Sequence, residues 1–268
     1  MKKLEHLSEI YRNYDTFIID LWGVMHNGIQ LNKGAMEVVK NLTDKKKRVV
    51  FLSNAPRPKE NVIQFLRELK MDEIFLKNVV TSGEAAVQSL KEKKFGKKFF
   101  HLGPKRDECL IEGLEKDKVN LSSCDFILCT GLFDEHLDDL NYYKDLLKDS
   151  IFKKLICTNP DLIVHKGNNI KYCAGKIAEL YESLGGKVVY FGKPYKEVYT
   201  IILKENEKNF VIGDNLNTDI KGANKLKLDS LFISGGIHKL EFKNDKELIP
   251  LFKKYNVTTN YYQKNLKW

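Results

Sequence analysis

The sequence predicts an α/β protein with a parallel sheet, and three observations support this prediction. Short apolar runs alternate with amphipathic stretches along nearly the whole chain, as in strand–helix–strand units. Runs such as FIID and VVFL are continuous rather than alternating, which is typical of strands buried on both faces. The chain has 268 residues, of which 43% are hydrophobic, enough for one or two domains with a real core.

Eight apolar runs are predicted as strands: Thr16–Asp20, Arg48–Ser53, Lys98–Leu102, Asp125–Thr130, Lys154–Thr158, Lys187–Phe191, Asn209–Gly213 and Asp229–Ser234. Between them, Lys59–Lys70 predicts a helix because its apolar residues share one face. Pro194 precedes a second predicted helix, Tyr195–Leu203, and Thr218–Lys225 is a third. Eight strands exceed what one modest sheet needs, so an inserted second domain is expected.

The composition indicates which partners and which cellular compartment are expected for the protein. The chain has 45 lysines and arginines against 36 aspartates and glutamates, which gives a net charge of +9. Nearly all the basic residues are lysines, and they are scattered along the chain. Proteins that read nucleic acids favour arginine for bidentate contacts, so no nucleic-acid partner is expected. The sequence predicts no membrane span and no signal peptide. Five cysteines without a CxxC pair indicate free thiols, and a cytoplasmic protein is expected.

Candidate site residues directly follow the apolar runs. Ligands of open parallel sheets collect at the carboxyl ends of the strands, where such residues lie. Four runs supply polar residues of this kind: Asp20; Ser53 and Asn54; Lys193; Asp214 and Asp219.

Each of these residues also has a purely structural explanation. Asp20 can close a turn, Ser53 can cap a helix, and two aspartates can flank a loop that enters a helix. The combination favours a catalytic site, because carboxylates, a hydroxyl and an isolated lysine together can supply four functions. These are a nucleophile, a donor to phosphate oxygens, a compensating cation and a metal site of oxygen ligands.

At these residues the sequence resembles the haloacid dehalogenase (HAD) superfamily. The order and spacing look like the class IIA branch, with its NagD-like and 4-nitrophenylphosphatase-like enzymes. The resemblance covers essentially the whole chain. It rests on the segments DLWGVMHNG, VVFLSNAPR, CTNPD, VVYFGKPYKEVY and FVIGDNLNTDIKGA. A Rossmann-like core and an inserted α/β cap of the C2 type are the fold that this resemblance implies.

The resemblance implies a phosphohydrolase with a covalent intermediate. Asp20 would be the nucleophile that attacks phosphorus and forms an aspartyl-phosphate. Ser53 and the catalytic Lys193 would hold the phosphoryl oxygens, with Asn54 close to the same group. This agrees with the chemistry, because phosphoryl transfer depends on in-line positioning and on neutralising spread negative charge.

The resemblance also implies that Mg²⁺ is the cofactor. The ion would lie between Asp20, the backbone carbonyl of Trp22 and Asp214, with Asp219 as a further ligand or in contact with the ligands. Mg²⁺ in proteins commonly uses one or two carboxylates together with substrate oxygens and water.

One residue departs from the family pattern. The family usually has a second Asp two residues after the nucleophile, acting as general acid and then as base, and here Trp22 stands at that position. An indole cannot donate or accept a proton at neutral pH. General acid–base help is worth ~10²–10⁴-fold, so hydrolysis of an alkyl phosphate is expected to be slowed by that factor.

Three explanations for Trp22 stay open at the level of sequence. The substrate can carry a good leaving group, although hydrolysis of the aspartyl-phosphate still needs an activated water. His26 can act as the acid/base if the loop after Gly23 folds back. Alternatively, the protein binds phosphorylated ligands with little turnover. Trp22 itself either offers a stacking surface for an aromatic substrate or fills the space of the lost carboxylate.

The predicted domains follow from the motif positions. Residues 1–82 and 187–268 form the core domain, and residues 83–186 form the inserted cap domain. Asn159 and Asp161 follow a predicted strand of the cap, where they either help to select the substrate or form a simple turn. The resemblance implies dimers formed through the caps, although the residues themselves carry no signature of a dimer.

The sequence therefore predicts a Mg²⁺-dependent phosphatase of small phosphorylated metabolites that acts through Asp20. A catalytically weak protein of the same fold that binds phosphometabolites is the alternative, because of Trp22. A phosphonate hydrolase or a phosphotransferase is a further possibility.

Overall fold

A computed structural model describes residues 1–166 and 169–268. Within these residues the strands, in chain order, are β1 (Lys2–Lys3), β2 (Thr16–Asp20), β3 (Arg48–Ser53), β4 (Val79–Thr81), β5 (Phe99–Leu102), β6 (Phe126–Cys129), β7 (Lys154–Cys157), β8 (Ile163–Lys166), β9 (Asn169–Tyr172), β10 (Lys187–Tyr190), β11 (Asn209–Gly213), β12 (Asp229–Ile233) and β13 (Tyr261–Gln263). The α-helices are α1 (Lys33–Asp44), α2 (Lys59–Glu68), α3 (Ser82–Lys91), α4 (Leu140–Leu147), α5 (Ala174–Ser183), α6 (Lys196–Thr200), α7 (Lys221–Lys225) and α8 (Leu248–Tyr255).

The larger sheet has seven parallel strands in the order β1-β13-β12-β11-β2-β3-β4. β2 lies between β11 and β3, the place where the chain reverses the direction in which it adds strands. The carboxyl ends of parallel strands share one edge, and ligands bind at such a reversal point. The α/β fold with a parallel sheet is therefore confirmed.

Both faces of the larger sheet are buried, which explains the continuous apolar runs. Alternate residues of β2, Phe17 and Ile19, pack on the side of α1 and α2, while Ile18 packs on the side of α6 and α7. Asn32 caps α1, because its side chain accepts a hydrogen bond from the N–H of Gly34. The sheet is thus a rigid layer that fixes the positions of its strand ends.

The smaller sheet has four parallel strands in the order β10-β7-β6-β5. One face of this sheet packs against α4 and α5 around Tyr143 and Tyr181, which are fully buried. An antiparallel pair, β8 with β9, follows β7. Ser82, at the start of α3, connects the loops after β3 and β7. Its hydroxyl donates to the carbonyl of Thr158 at 2.6 Å, and the same oxygen lies 3.1 Å from the carbonyl of Ala55.

The predicted boundary at residue 186 differs from the observed sheet membership. The structure pairs Lys187–Tyr190 with β7 in the smaller sheet, so the chain leaves that sheet after Tyr190 rather than after residue 186. An apolar run such as KVVY carries no information about which of two parallel sheets it joins. The division into a core domain and an inserted domain stays a prediction.

All eight predicted strands are present, with ends shifted by at most one residue. The predicted helices are shorter: Lys59–Lys70 ends at Glu68, and Tyr195–Leu203 is reduced to Lys196–Thr200. The predicted helix Thr218–Lys225 consists of a π-helical turn, Leu216–Ile220, followed by α7. All five cysteines are free. Among the described residues, none of the helices has the length and apolar character that a membrane span requires.

Candidate active site

The site is centred on Asp20, the last residue of β2, and on Lys193. The Lys193 ammonium contacts Oδ1 of Asp20 directly and lies 2.7 Å from Oδ1 of Asp219. All three side chains are buried, with at most 8% of each residue exposed. The structure thus brings together residues that are far apart in the sequence.

Asp214 completes a cluster of three carboxylates. Asp20, Asp214 and Asp219 each offer an oxygen, and these oxygens lie within 4.8 Å of one another. Asp214 Oδ2 accepts a hydrogen bond from the N–H of Ile237 at 2.7 Å. Asp219 Oδ2 accepts one from the N–H of Asn215 at 3.1 Å. The π-helical turn after β11 therefore folds Asp219 back beside the strand end that carries Asp214.

The charges of this cluster do not balance without a cation. Three carboxylates and one ammonium leave two negative charges in a buried place. Burial, together with the charges of Asp219 and Asp214, raises the pKa of Asp20 well above its usual value, although Lys193 opposes this. Burial and Asp219 raise the pKa of Asp214 to about 8. A divalent cation that prefers oxygen ligands fits this set, so the residues present suit Mg²⁺.

The backbone after Asp20 lies against the same cluster. Gly23 has φ +90°, and a Cβ at this position would lie 2.1 Å from Oδ2 of Asp214. Only glycine allows this close approach. The chain at residues 22–23 is therefore beside the carboxylates, where the backbone carbonyl of Trp22 is predicted to bind Mg²⁺.

The electrostatics of Lys193 follow from its partners. Burial alone would lower the pKa of this lysine, but the charges of Asp20 and Asp219 outweigh it and raise the pKa. Lys193 therefore keeps its positive charge in the buried site. A buried ammonium beside a strand-end carboxylate can neutralise a phosphoryl oxygen.

Asn54 fixes the backbone of Lys193. Its Oδ1 accepts the N–H of Lys193 at 2.8 Å, and its Nδ2 donates to the carbonyl of Lys193 at 3.1 Å. Gly192, with φ +115°, permits this contact, since a Cβ there would lie 2.6 Å from Asn54 Oδ1. The amide of Asn54 thus has a positioning contact, and its predicted closeness to phosphate stays a prediction.

Ser53 is the last residue of β3, next to β2 in the sheet. Its Oγ accepts a hydrogen bond from the N–H of Ala55 at 3.1 Å, which holds the chain as it leaves the strand. Within residues 1–166 and 169–268 no group accepts the hydroxyl proton of Ser53, so this proton can be donated to a phosphoryl oxygen. Leu52, just before it, is paired with Asp20, so the hydroxyl and the carboxylate leave the same edge of the sheet.

Asp161, from the loop after β7, reaches the edge of the larger sheet. Its Oδ1 accepts from Asn54 Nδ2 at 3.3 Å and from Asn215 Nδ2 at 3.5 Å. The N–H of Asp161 donates to Asn159 Oδ1 at 3.0 Å, so Asn159 shapes the loop and Asp161 faces the site. Burial raises the pKa of Asp161 to about 6, with Lys193 opposing the shift.

Trp22 and His26 lie together in an aromatic group with Phe65 from α2. The rings of Trp22 and Phe65 are parallel within 9° at a centroid distance of 6.5 Å, and His26 meets both edge-on. His26 Nδ1 accepts the N–H of Gly28 at 3.1 Å, and burial lowers the pKa of His26 to about 4. This histidine is therefore neutral at physiological pH and is a weak base.

Sequence reasoning missed two contributions near the site. Phe65 was read only as part of the apolar face of α2, because periodicity does not show that a helix meets Trp22. Nε of Arg57 lies 3.6 Å from Oδ1 of Asp107, which is in the 3-10 helical segment after β5. This ion pair connects the loop after β3 with the part of the chain that carries the smaller sheet. The segment VVFLSNAPR contains Arg57, whereas nothing in the sequence points to Asp107.

Two family models match the chain. A model described as haloacid dehalogenase-like hydrolase matches residues 17–115, and a HAD-hydrolase-like model matches residues 190–250. Dihydroxyacetone phosphatase from Corynebacterium glutamicum (strain R) is 29% identical over 89 residues, which is 31% of this chain. The match spans about a third of that curated relative, 32% of its length.

The solved structures match over nearly the full length. A haloacid dehalogenase-like family hydrolase from Brucella suis 1330 is 28% identical with a TM-score of 0.85, covering 98% of this chain and 99% of its own. A 4-nitrophenylphosphatase from Thermotoga maritima is 25% identical with a TM-score of 0.72, covering 96% of each chain. The residues matched by the two family models include Asp20, Ser53, Lys193 and Asp214. The chain belongs to the haloacid dehalogenase-like hydrolases, and its fold is that of the 4-nitrophenylphosphatase-type members.

Proposed function

We propose that the protein is a Mg²⁺-dependent phosphatase of small phosphorylated metabolites. The observation that carries this proposal is the meeting of Asp20, Lys193 and two further carboxylates at the edge where β2 ends. A buried carboxylate beside an ammonium can attack an electrophile whose negative charge the ammonium neutralises. The phosphatase names of the Corynebacterium and Thermotoga relatives support the same class of substrate.

Substrate binding is assigned to Lys193 and Ser53. The ammonium and the hydroxyl would each hold a phosphoryl oxygen, and Asn54 keeps Lys193 in place through both backbone groups. Mg²⁺, held by Asp20, Asp214, Asp219 and the backbone carbonyl of Trp22, would supply positive charge that offsets the phosphoryl oxygens and the carboxylates. These contacts orient phosphorus in line with the free oxygen of Asp20.

Reaction then proceeds on Asp20. One carboxylate oxygen forms a bond to phosphorus as the bond to the ester oxygen breaks, which gives an aspartyl-phosphate and an alkoxide that takes up one proton to become the alcohol. Water then attacks phosphorus and gives up one proton, the bond to Asp20 breaks, and inorganic phosphate leaves. Lys193 stabilises the equatorial oxygens in both steps, because spread negative charge is what phosphoryl transfer requires the site to neutralise.

A catalytically weak protein that binds phosphometabolites is the second candidate. The observation that favours it is Trp22, whose indole can neither donate nor accept a proton at neutral pH. His26 does not fill the gap readily, since with a pKa of about 4 only a very small fraction is protonated at pH 7. On this reading, the site would hold a phosphorylated ligand with little turnover.

The five free thiols support a cytoplasmic location. A small phosphorylated molecule is the proposed partner, neither a nucleic acid nor a membrane is proposed, and a homodimer formed through the caps stays a prediction.

The experiment is a panel of phosphate esters, including dihydroxyacetone phosphate and 4-nitrophenyl phosphate, assayed with and without Mg²⁺. The phosphatase predicts Mg²⁺-dependent turnover that Asp20→Asn abolishes. The weak binder predicts stoichiometric trapping of a metal-fluoride phosphate mimic with slow turnover. It also predicts a gain of ~10²–10⁴-fold for alkyl esters in Trp22→Asp. Turnover that survives in Asp20→Asn would show that the nucleophile is assigned wrongly.

A further inference from the structure

The proposed reaction needs two proton transfers that neither Trp22 nor His26 is suited to make. An alkoxide leaving group needs a proton as its bond to phosphorus breaks, and the attacking water must lose one. A replacement group must lie on the side of phosphorus opposite Asp20, because displacement is in line. The loop after β7 reaches the edge of the larger sheet that carries Ser53 and Asp214, so a side chain of this loop is a candidate for that position.

Asp161, in the loop after β7, is a titratable side chain that contacts this edge of the larger sheet. Its Oδ1 accepts from Asn54 and Asn215, which directly follow Ser53 and Asp214 in the sequence. The carboxyl therefore lies between the strand end assigned to phosphate and the strand end assigned to Mg²⁺. It is outside the cluster of three carboxylates. Among the described residues, no group hydrogen-bonds to Oδ2 of Asp161, so this oxygen can meet a substrate.

We propose that Asp161 is the general acid and base of this site, in the place of the aspartate that Trp22 replaces. This inference rests on the proposed phosphatase function. In the first step, the proton on Asp161 passes to the ester oxygen as the bond from that oxygen to phosphorus breaks and Asp20 bonds to phosphorus. In the second step, the Asp161 carboxylate takes a proton from water as the water oxygen bonds to phosphorus and Asp20 leaves. The protein is thus regenerated with its starting proton.

The surroundings of Asp161 suit both roles. Burial raises its pKa to about 6, Lys193 lowers it, and Asp219 raises it. Further titratable groups near it are Asp214, the third carboxylate of the cluster, and the thiols of Cys157 and Cys173, whose pKa values burial raises so that they stay neutral. An acid that titrates close to neutrality can donate its proton and then accept one in the same cycle.

The test measures how turnover depends on the leaving group. With Mg²⁺, wild type and Asp161→Asn are assayed on 4-nitrophenyl phosphate and on alkyl phosphates. Loss of the acid should lower alkyl ester turnover by ~10²–10⁴-fold. The first step with 4-nitrophenyl phosphate should change little, because 4-nitrophenolate leaves without a proton. A stoichiometric burst of 4-nitrophenolate is expected in the variant, since the second step lacks its base.

A pH profile and two further variants separate proton transfer from positioning. For alkyl esters, wild-type kcat/KM should fall as the pH rises above about 6, and this limb should be absent in Asp161→Asn. Asp161→Glu keeps a carboxyl and should retain part of the alkyl ester turnover. Asp138→Asn removes an exposed carboxylate of the same part of the chain and should match wild type.

One result would overturn the role of Asp161, and a different result would overturn the proposed phosphatase function. An equal loss on every ester in Asp161→Asn, without a burst, means that Asp161 only positions Asn54 and Asn215, and the inference fails. No turnover of any ester by the wild type, together with no trapping of a metal-fluoride mimic, means that the proposed function itself fails.

Discussion

The side-chain amide of Asn54 pairs with both backbone polar groups of Lys193, accepting its N–H at 2.8 Å and donating to its carbonyl at 3.1 Å. The ammonium at the other end of Lys193 contacts Asp20. The Asn54 amide, in the loop after β3, thus sets the position of the cation that contacts Asp20, the proposed nucleophile at the end of β2. Through this contact, a residue can control catalysis without touching the reacting atoms.

Replacing Asn54 by Ala should lower turnover by about 10–100-fold, because the Lys193 backbone loses two hydrogen bonds and the ammonium loses its fixed position. Steady-state kinetics with a saturating phosphate ester measures this loss. Asn120→Ala is the control, since Asn120 is exposed and its side chain caps no helix. A turnover number equal to wild type in Asn54→Ala would show that Lys193 is held by other contacts.

Replacing Asp214 by Asn should abolish stabilisation by Mg²⁺. Mg²⁺ that binds the folded protein but not the unfolded chain raises the melting temperature. Asp214 is one of the three clustered carboxylates that are proposed to bind the ion. Without Mg²⁺, the variant should melt at a higher temperature than wild type, because one of the repelling charges is gone. Thermal unfolding with and without Mg²⁺ measures both effects. An unchanged response of the variant to Mg²⁺ would remove Asp214 from the proposed ligand set.

Replacing His26 by Asn should leave turnover within about threefold of wild type, because a histidine with a pKa of about 4 is a poor acid at neutral pH. The asparagine side chain can still accept the N–H of Gly28, which limits the loss of stability. Kinetics and a melting curve on the same sample separate the two effects. A loss of turnover of tenfold or more in a folded variant would assign His26 to the acid–base chemistry after all.

Replacing Asp107 by Asn should stabilise the protein at neutral pH. Burial raises the pKa of Asp107 from 3.8 to about 6, although Arg106 and Arg57 lower it. Since the folded protein binds this proton more tightly than the unfolded chain, stability contributed by Asp107 is present below pH 3.8 and is lost as the pH rises through about 6. The free energy of unfolding of Asp107→Asn should therefore exceed that of wild type by up to about 3 kcal/mol at pH 7.5.

Urea unfolding at pH 7.5 and at pH 4 measures the difference in free energy of unfolding between Asp107→Asn and wild type. This difference should be smaller at pH 4. Asp138→Asn, at an exposed position, is the control. A variant less stable than wild type at pH 7.5 would mean that the ion pair with Arg57 outweighs the burial of the carboxylate.

The sequence predicted the site residues that end a strand or directly follow one in the chain. Asp20, Ser53 and Asp214 directly follow apolar runs, and parallel strands bring their carboxyl ends to one edge. Lys193 follows the end of β10 after Phe191 and Gly192. The residues alone offer it as an isolated cation, and its role in holding phosphate is what the resemblance to the family implies. The predictions of strands succeeded because a strand buried on both faces needs a continuous apolar run.

The remaining features depend on contacts between segments far apart in the chain. For Asp161 the sequence predicts either help in selecting the substrate or a simple turn, because its approach to Asn54 depends on how the two sheets face each other. The π-helical turn that carries Asp219 was read as an ordinary helix start, since periodicity over five residues cannot separate the two. Phe65 shows the same limit, because a helical face predicts burial without identifying the neighbour.

The placement of β10 in the smaller sheet has a mechanical consequence. Only Phe191 and Gly192 separate the end of this strand from Lys193, and the N–H of Phe191 is bonded to the carbonyl of Cys157 at 2.8 Å. Three peptide units reach about 10 Å when extended, so little slack exists between the strand and the ammonium. Any displacement of the smaller sheet relative to β2 would therefore act directly on Lys193, against the two hydrogen bonds by which Asn54 holds its backbone.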